Sequence, residues 1–197
     1  MYAYCNNNPV MFVDASGYRI VLATDATNEQ KKEYERAIAY LKTSETGRKL
    51  IELLEESTTV LTIAFTDDNS MCYSSGSNTI YFDINCGLAI NDASSTQSPA
   101  IGLAHEMGHA AQELTGIRKG SVNEIEEHNL TTYEIPIATE LGEPVRYNYY
   151  GVFFPMEMQN SIHFTTPSTK VRPWWHYIFI WNWGKPRVEP IDHNLDS

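Results

Sequence analysis

The stretch Ser98-Pro99-Ala100-Ile101-Gly102-Leu103-Ala104-His105-Glu106-Met107-Gly108-His109-Ala110-Ala111-Gln112-Glu113-Leu114-Thr115-Gly116 decides how the rest of this chain is read. Serine followed by proline is a helix start, because the hydroxyl accepts from a free N–H and proline lacks the N–H that would go unpaired at the first position. Gly116 is a helix stop. The pattern predicts a helix from about Pro99 to Thr115. Within it lies His105-Glu106-Met107-Gly108-His109, an HExxH sequence. Residues four apart stand one above the other on a helix, so His105 and His109 can reach one zinc ion. Glu106 is turned to the side, where it can act on a water as general base.

Catalytic zinc usually takes three protein ligands. An extended motif with glycine and histidine three and six residues after the second histidine is excluded, since Gln112 and Thr115 stand there. A carboxylate from the next helix is the remaining common solution. That helix opens at Ser121 with Glu124 in capping-box position and should be bent or ended near Glu134 by Pro136. His109 lies about 9 Å from the end of its helix, and an antiparallel return places Glu127 level with it. Glu134 slightly overshoots His105 and shares a face with Glu127 at i, i+7. Glu127 is the first choice as third ligand and Glu134 the second; whichever is not a ligand holds a ligand histidine by its other nitrogen. Glu124, Glu126 and Glu140 read as solvated helix faces, and His128 as exposed.

The surroundings suit a small α+β protein. Its 197 residues bound one domain, with 42% hydrophobic and 20% charged residues, as in a globular chain. Lys+Arg 14 against Asp+Glu 25 gives −11, which argues against nucleic-acid binding and against anionic membranes. No apolar run approaches the roughly 20 residues of a membrane span, and no Sec-type signal is visible. Cys5, Cys72 and Cys86 lack CxxC spacing and read as thiols, without a disulfide framework or cysteine zinc site.

Val10–Val13 and Tyr18–Ala23 read as a hairpin around residues 14–17. Thr27, with Gln30 three residues on, opens a helix striped by Tyr34, Ala37, Ile38 and Leu41. A second helix covers about Glu45 to Glu56. Residues 60–65 and 79–82 read as strands, with a polar loop between them and another from Asn85 to Gln97. We expect one domain over residues 1–184, with short elements after Gly142, and a loose tail over 185–197.

The chain resembles the M91 family of zinc metallopeptidases, the NleD-like type III secretion effectors and related domains of bacterial toxins. The resemblance spans about residues 27–150. It rests on Thr46-Gly47-Arg48-Lys49-Leu50, Ile80-Tyr81-Phe82-Asp83, Ala104 to Ala110, Glu127 with Glu134, and Glu140-Leu141-Gly142-Glu143-Pro144-Val145-Arg146 with Tyr149. Ile135, where the family often has asparagine, and Pro136 are departures from its pattern.

The resemblance implies a zincin-like, gluzincin-type metallopeptidase fold: a small sheet, an HExxH helix and a following helix bearing the acidic ligand. It implies a zinc endopeptidase that cleaves a host or target-cell protein. It also implies export without a classical signal peptide from the producer's cytoplasm, and an immunity protein or secretion chaperone as partner. We expect a monomer. Arg146 and Tyr149, spaced RxxY, are the best donors to the tetrahedral oxyanion, by analogy with a similar pair in clostridial neurotoxin peptidases. Tyr147, Tyr150 and His176 are weaker ones. Residues 78–82 are the candidate strand edge for an extended substrate. The alternative is a binding or docking module that keeps zinc for structure. A peptidase-like fold acting on another amide or ester is a third reading.

Overall fold

The computed structural model describes residues 20–90, 95–147 and 154–166. The architecture is α+β. In chain order the elements are β1 (Ile20–Leu22), α1 (Asn28–Leu41), α2 (Glu45–Glu55), β2 (Leu61–Phe65), β3 (Cys72–Ser74), β4 (Thr79–Phe82), β5 (Cys86–Ile90) and β6 (Ser95–Gln97). Then follow α3 (Pro99–Leu114), α4 (Val122–Asn129), a π-helical turn (Leu130–Glu134), α5 (Ile135–Leu141) and β7 (Phe154–Glu157).

The local signals act as their chemistry dictates. Thr27 and Gln30 form a reciprocal capping box on α1, and Ser121 and Glu124 form one on α4. Ser98 Oγ accepts from Ile101 N–H at the start of α3, and α3 ends before Gly116, whose φ of +69° is left-handed. On α2 the residues Leu50, Ile51 and Leu54 are buried on one side. Each such side chain contributes about 1.5–3 kcal/mol by leaving water.

Four strands form one sheet in the order β1-β2-β4-β3, with β1, β2 and β4 parallel and β3 antiparallel to β4. A second, antiparallel sheet has the order β6-β5-β7. α3 runs through the core: Ile101, Leu103, Ala104 and Met107 pack in one cluster with Leu41, Ile51, Ile63, Ile80 and Phe82. A helix buried on nearly every side needs small residues, and α3 supplies Ala100, Ala104, Ala110 and Ala111.

Three expectations are corrected. Residues 78–82 are not a sheet edge, because β4 lies between β2 and β3; the edges are β1 and β3, the latter three residues inside a stretch that reads as a polar loop. The loop expected over 85–97 contains β5 and β6. The helix from Ser121 neither ends nor breaks at Pro136. It winds through a π turn in which Ile135 N–H donates to the Leu130 carbonyl, five residues back, and continues as α5. Proline has no N–H for the Thr132 carbonyl and its ring presses toward it; a wider turn accommodates both. Of the expected hairpin, residues 10–13 lie outside the described residues, as does the tail over 185–197. β1 pairs in parallel with β2.

Glu140 ties α5 to the start of α2. Its carboxylate accepts from Thr46 Oγ1 at 2.6 Å, Ser44 Oγ at 2.7 Å and Thr46 N–H at 3.0 Å. The Thr46 and Ser44 hydroxyls pull its pKa from 4.5 down to about 2. A folded-state pKa below the unfolded one adds stability in full above the unfolded value, and the contribution is lost as pH falls through the folded one. Wild type should therefore melt above Glu140→Gln at pH 7, with the gap narrowing below pH 4.5 and closing near pH 2. Thermal melts across that range read this directly, and a pH-independent gap would contradict it.

Candidate metal centre

His105 and His109 project from the same side of α3, and their rings meet edge-on, with centroids 4.7 Å apart and planes at 89°. Their Nε2 atoms are 3.2 Å apart. Glu126 Oε2, from α4, lies 3.3 Å from each of them. His105, His109 and Glu126 thus form a compact group suited to a metal ion.

The other ring nitrogens reveal where the protons sit. His105 Nδ1 is 2.8 Å from Glu134 Oε2, a carboxylate that Arg146 also pairs, so Nδ1 carries the hydrogen and donates it. His109 Nδ1 is 3.0 Å from Gln112 Oε1. The Gln112 amide is oriented by its other end, which donates to the Ile125 carbonyl at 2.9 Å and faces His128 Nδ1 at 3.0 Å. His109 Nδ1 must therefore donate as well. Both imidazoles turn Nε2 toward the buried Glu126 carboxylate oxygen, so that three atoms able to bind a cation face one another.

A cation resolves that arrangement. Zinc bound at roughly 2.0–2.1 Å in a regular tetrahedron has donors about 3.3–3.4 Å apart along each edge. The observed 3.2, 3.3 and 3.3 Å match one tetrahedral face, with the fourth corner left for water or substrate. The residues therefore fit a zinc ion. A proton is the competing occupant. Burial lowers the His105 pKa, but the Glu126 and Glu134 carboxylates outweigh it and push the value up to about 9. Burial raises the Glu126 pKa, and the His105 and His109 imidazoles overcome this and hold it at about 2.

Glu106, beside the first histidine, is half-buried, and its Oε2 accepts from Tyr73 N–H on edge strand β3 at 2.8 Å. Tyr73 is itself fixed by its hydroxyl, which donates to Asn78 Oδ1 at 2.8 Å, and by the Arg118 guanidinium 5.3 Å above its ring centre.

The structure sorts the carboxylates differently from the sequence reading. Glu127 is exposed, and its neighbour Glu126 reaches the imidazoles instead. The π turn explains both positions. It takes up one residue more than an α turn, so Glu134, eight residues after Glu126, stands where a seventh residue would in an unbroken helix. That is within about 20° of the same face. Glu134 lies behind His105 and does not join the three converging atoms.

Arg146 is buried at 6% exposure and bonds Glu134, on the Nδ1 side of His105 rather than toward the open corner. Tyr149, Tyr150 and His176 lie outside the described residues, and Tyr147 is 79% exposed. His128 is half-buried against Gln112. Gln112, Asn129 and Tyr73 escaped the sequence reading. Gln112 is a polar residue on the mostly buried α3, which is a readable signal, whereas Asn129 is the one buried residue of the otherwise more exposed α4. The part played by Tyr73 is a backbone N–H, which no side chain announces.

A His-His-Glu group of this kind fits a metallopeptidase, and comparison places the chain in a peptidase-type class. The family profile Peptidase M91, described as "Effector protein", matches residues 19–134, more than half of the chain, and the chain belongs to that family. Comparison with curated proteins and with solved structures finds no match. The family match takes in α3, α4 and the π turn, and it stops short of Arg146. No described helix is long and apolar enough to cross a membrane.

Gly108, between the two histidines, lets α4 approach. A Cβ there would collide with Asn129 Oδ1 and stand 2.9 Å from Tyr133 Cδ2. Asn129 in turn donates to the His105 carbonyl at 2.8 Å. Gly108→Ala should push Glu126 away from the imidazoles, cost about 1–3 kcal/mol of stability, and weaken zinc binding measured by chelator competition. Unchanged affinity would show that the helix approach does not set the site.

Proposed function

We propose that this chain is a zinc-dependent endopeptidase, with His105, His109 and Glu126 holding the ion and Glu106 as general base. The observation that carries the reading is the triangle of two imidazole Nε2 atoms and one carboxylate oxygen at 3.2–3.3 Å, next to a glutamate that is not part of it. Bound there, zinc would supply a Lewis acid and activate a water for attack on a carbonyl.

The protein's own groups do the rest. Glu134 and Gln112 hold the two imidazoles with Nε2 toward the ion. Glu106 takes the proton from the attacking water and delivers it to the leaving amine. Its Oε2 is anchored by Tyr73 N–H, which leaves Oε1 for that exchange. Because Tyr73 belongs to edge strand β3, an extended substrate strand laid along that edge would run beside the general base. A peptide bond in a protein is the substrate class this suggests, and membership of an effector family supports export and action in a target cell. Glu127 is exposed and Arg146 pairs Glu134, while Tyr149, the other expected oxyanion donor, lies outside the described residues.

Glu106→Gln should bind zinc as wild type does but lose about 10²–10⁴-fold in cleavage rate. Chelation should abolish cleavage, and added zinc should restore it. New N-termini mapped in a target-cell lysate, wild type against Glu106→Gln, would supply the substrate. A Glu106→Gln protein that keeps both zinc and full proteolysis would overturn the mechanism.

A further inference from the structure

We propose that Arg146 is a positioning residue for the metal centre. Its guanidinium fork fixes the Glu134 carboxylate in the orientation that holds His105 by Nδ1–H, and so keeps the His105 Nε2 lone pair on the metal side. The inference rests on the metal reading of His105, His109 and Glu126.

The geometry around Glu134 is complete. A carboxylate offers about four acceptor positions in its plane. Glu134 Oε1 accepts from Arg146 Nε at 2.7 Å and from Gln97 Nε2 at 3.2 Å. Its Oε2 accepts from Arg146 Nη2 at 2.6 Å and from His105 Nδ1 at 2.8 Å. All four positions are filled, and Glu134 is 1% exposed, so water does not substitute for a missing donor. Arg146 supplies two of the four and is the only guanidinium among them. Its Nη2 stands 3.3 Å from His105 Nδ1, two donors brought together by their shared acceptor.

Arg146 is held in turn. The segment Glu143–Arg146 leaves α5 and straps across the start of α3. Glu143 accepts from Ser98 N–H and Ser98 Oγ, each at 2.7 Å, and from Tyr40 OH at 2.9 Å. The Pro144 carbonyl accepts from Gln97 Nε2 at 3.0 Å, the same amide nitrogen that reaches Glu134. One strap thus grips the N-cap of the histidine-bearing helix at one end and the orienting carboxylate at the other. Lysine could bring the charge but not the two parallel bonds. Without the fork the carboxylate can rotate, and the imidazole it orients loses its fixed presentation. This is not the oxyanion-donor role that the RxxY spacing suggests, because the fork is spent on Glu134.

The test is zinc affinity by chelator competition, with the conservative variant and a double-substitution cycle beside it. Arg146→Met should weaken zinc binding about 10–100-fold, the range for losing an orienting partner behind a ligand. Arg146→Lys should fall between wild type and Arg146→Met. In a Glu134→Gln background, Arg146→Met should add little further loss, since Arg146 acts through Glu134.

An Arg146→Met protein within about twofold of wild-type affinity would overturn the proposal, and so would full additivity of the two substitutions. If Arg146→Met does not fold, Arg146→Lys decides, and an affinity within about twofold of wild type would overturn the proposal. A wild-type protein that binds no zinc would instead sink the metal reading itself, and this inference with it.

Discussion

Two imidazole nitrogens and one carboxylate oxygen are pointed at each other across 3.2–3.3 Å inside the protein. Atoms of this kind held so close need a positive charge among them, a metal ion or a proton. The hydrogen bonds on the far sides of the rings engage Nδ1 with Glu134 and Gln112 and leave each Nε2 for that charge. Burying such a group costs several kcal/mol when it has no partner. The surrounding structure supplies the rigidity that keeps it together: a nearly fully buried α3, the glycine contact with α4 at Gly108, and the Asn129 bond to the His105 carbonyl.

Much of this was legible because it is local. Ser98-Pro99 and Gly116 bound α3, and Thr27 with Gln30 and Ser121 with Glu124 set the starts of α1 and α4. The spacing of His105 and His109 needs only a helix to become a pair of ligands. Other elements were hidden for physical reasons. β3 has three residues and alternates too briefly to show a period. β5, Cys86–Ile90, is mostly buried and lacks the polar alternation of a half-exposed strand.

The third carboxylate is the instructive case. A straight helix puts Glu127 and Glu134 on one face, and the antiparallel return puts Glu127 level with His109. The level is right to within one residue and the face is not, because the turn at 130–134 absorbs an extra residue ahead of Pro136. That single insertion brings Glu126 and Glu134 into line, so that Glu126 meets the two Nε2 atoms while Glu134 supports His105 from behind. Pro136 in the middle of a helix was the visible mark of it. A proline that does not end a helix must be accommodated by a change of winding, and here the change is what builds the site.

The most direct test of the account is X-ray absorption on the zinc-loaded protein, paired with Glu126→Gln and Glu127→Gln. The account predicts one zinc per chain, with two imidazole nitrogens and a carboxylate oxygen at about 2.0–2.1 Å, a signature that Glu126→Gln disturbs and Glu127→Gln leaves intact. Zinc absent from wild type, or a first coordination sphere changed by Glu127→Gln and not by Glu126→Gln, would contradict it.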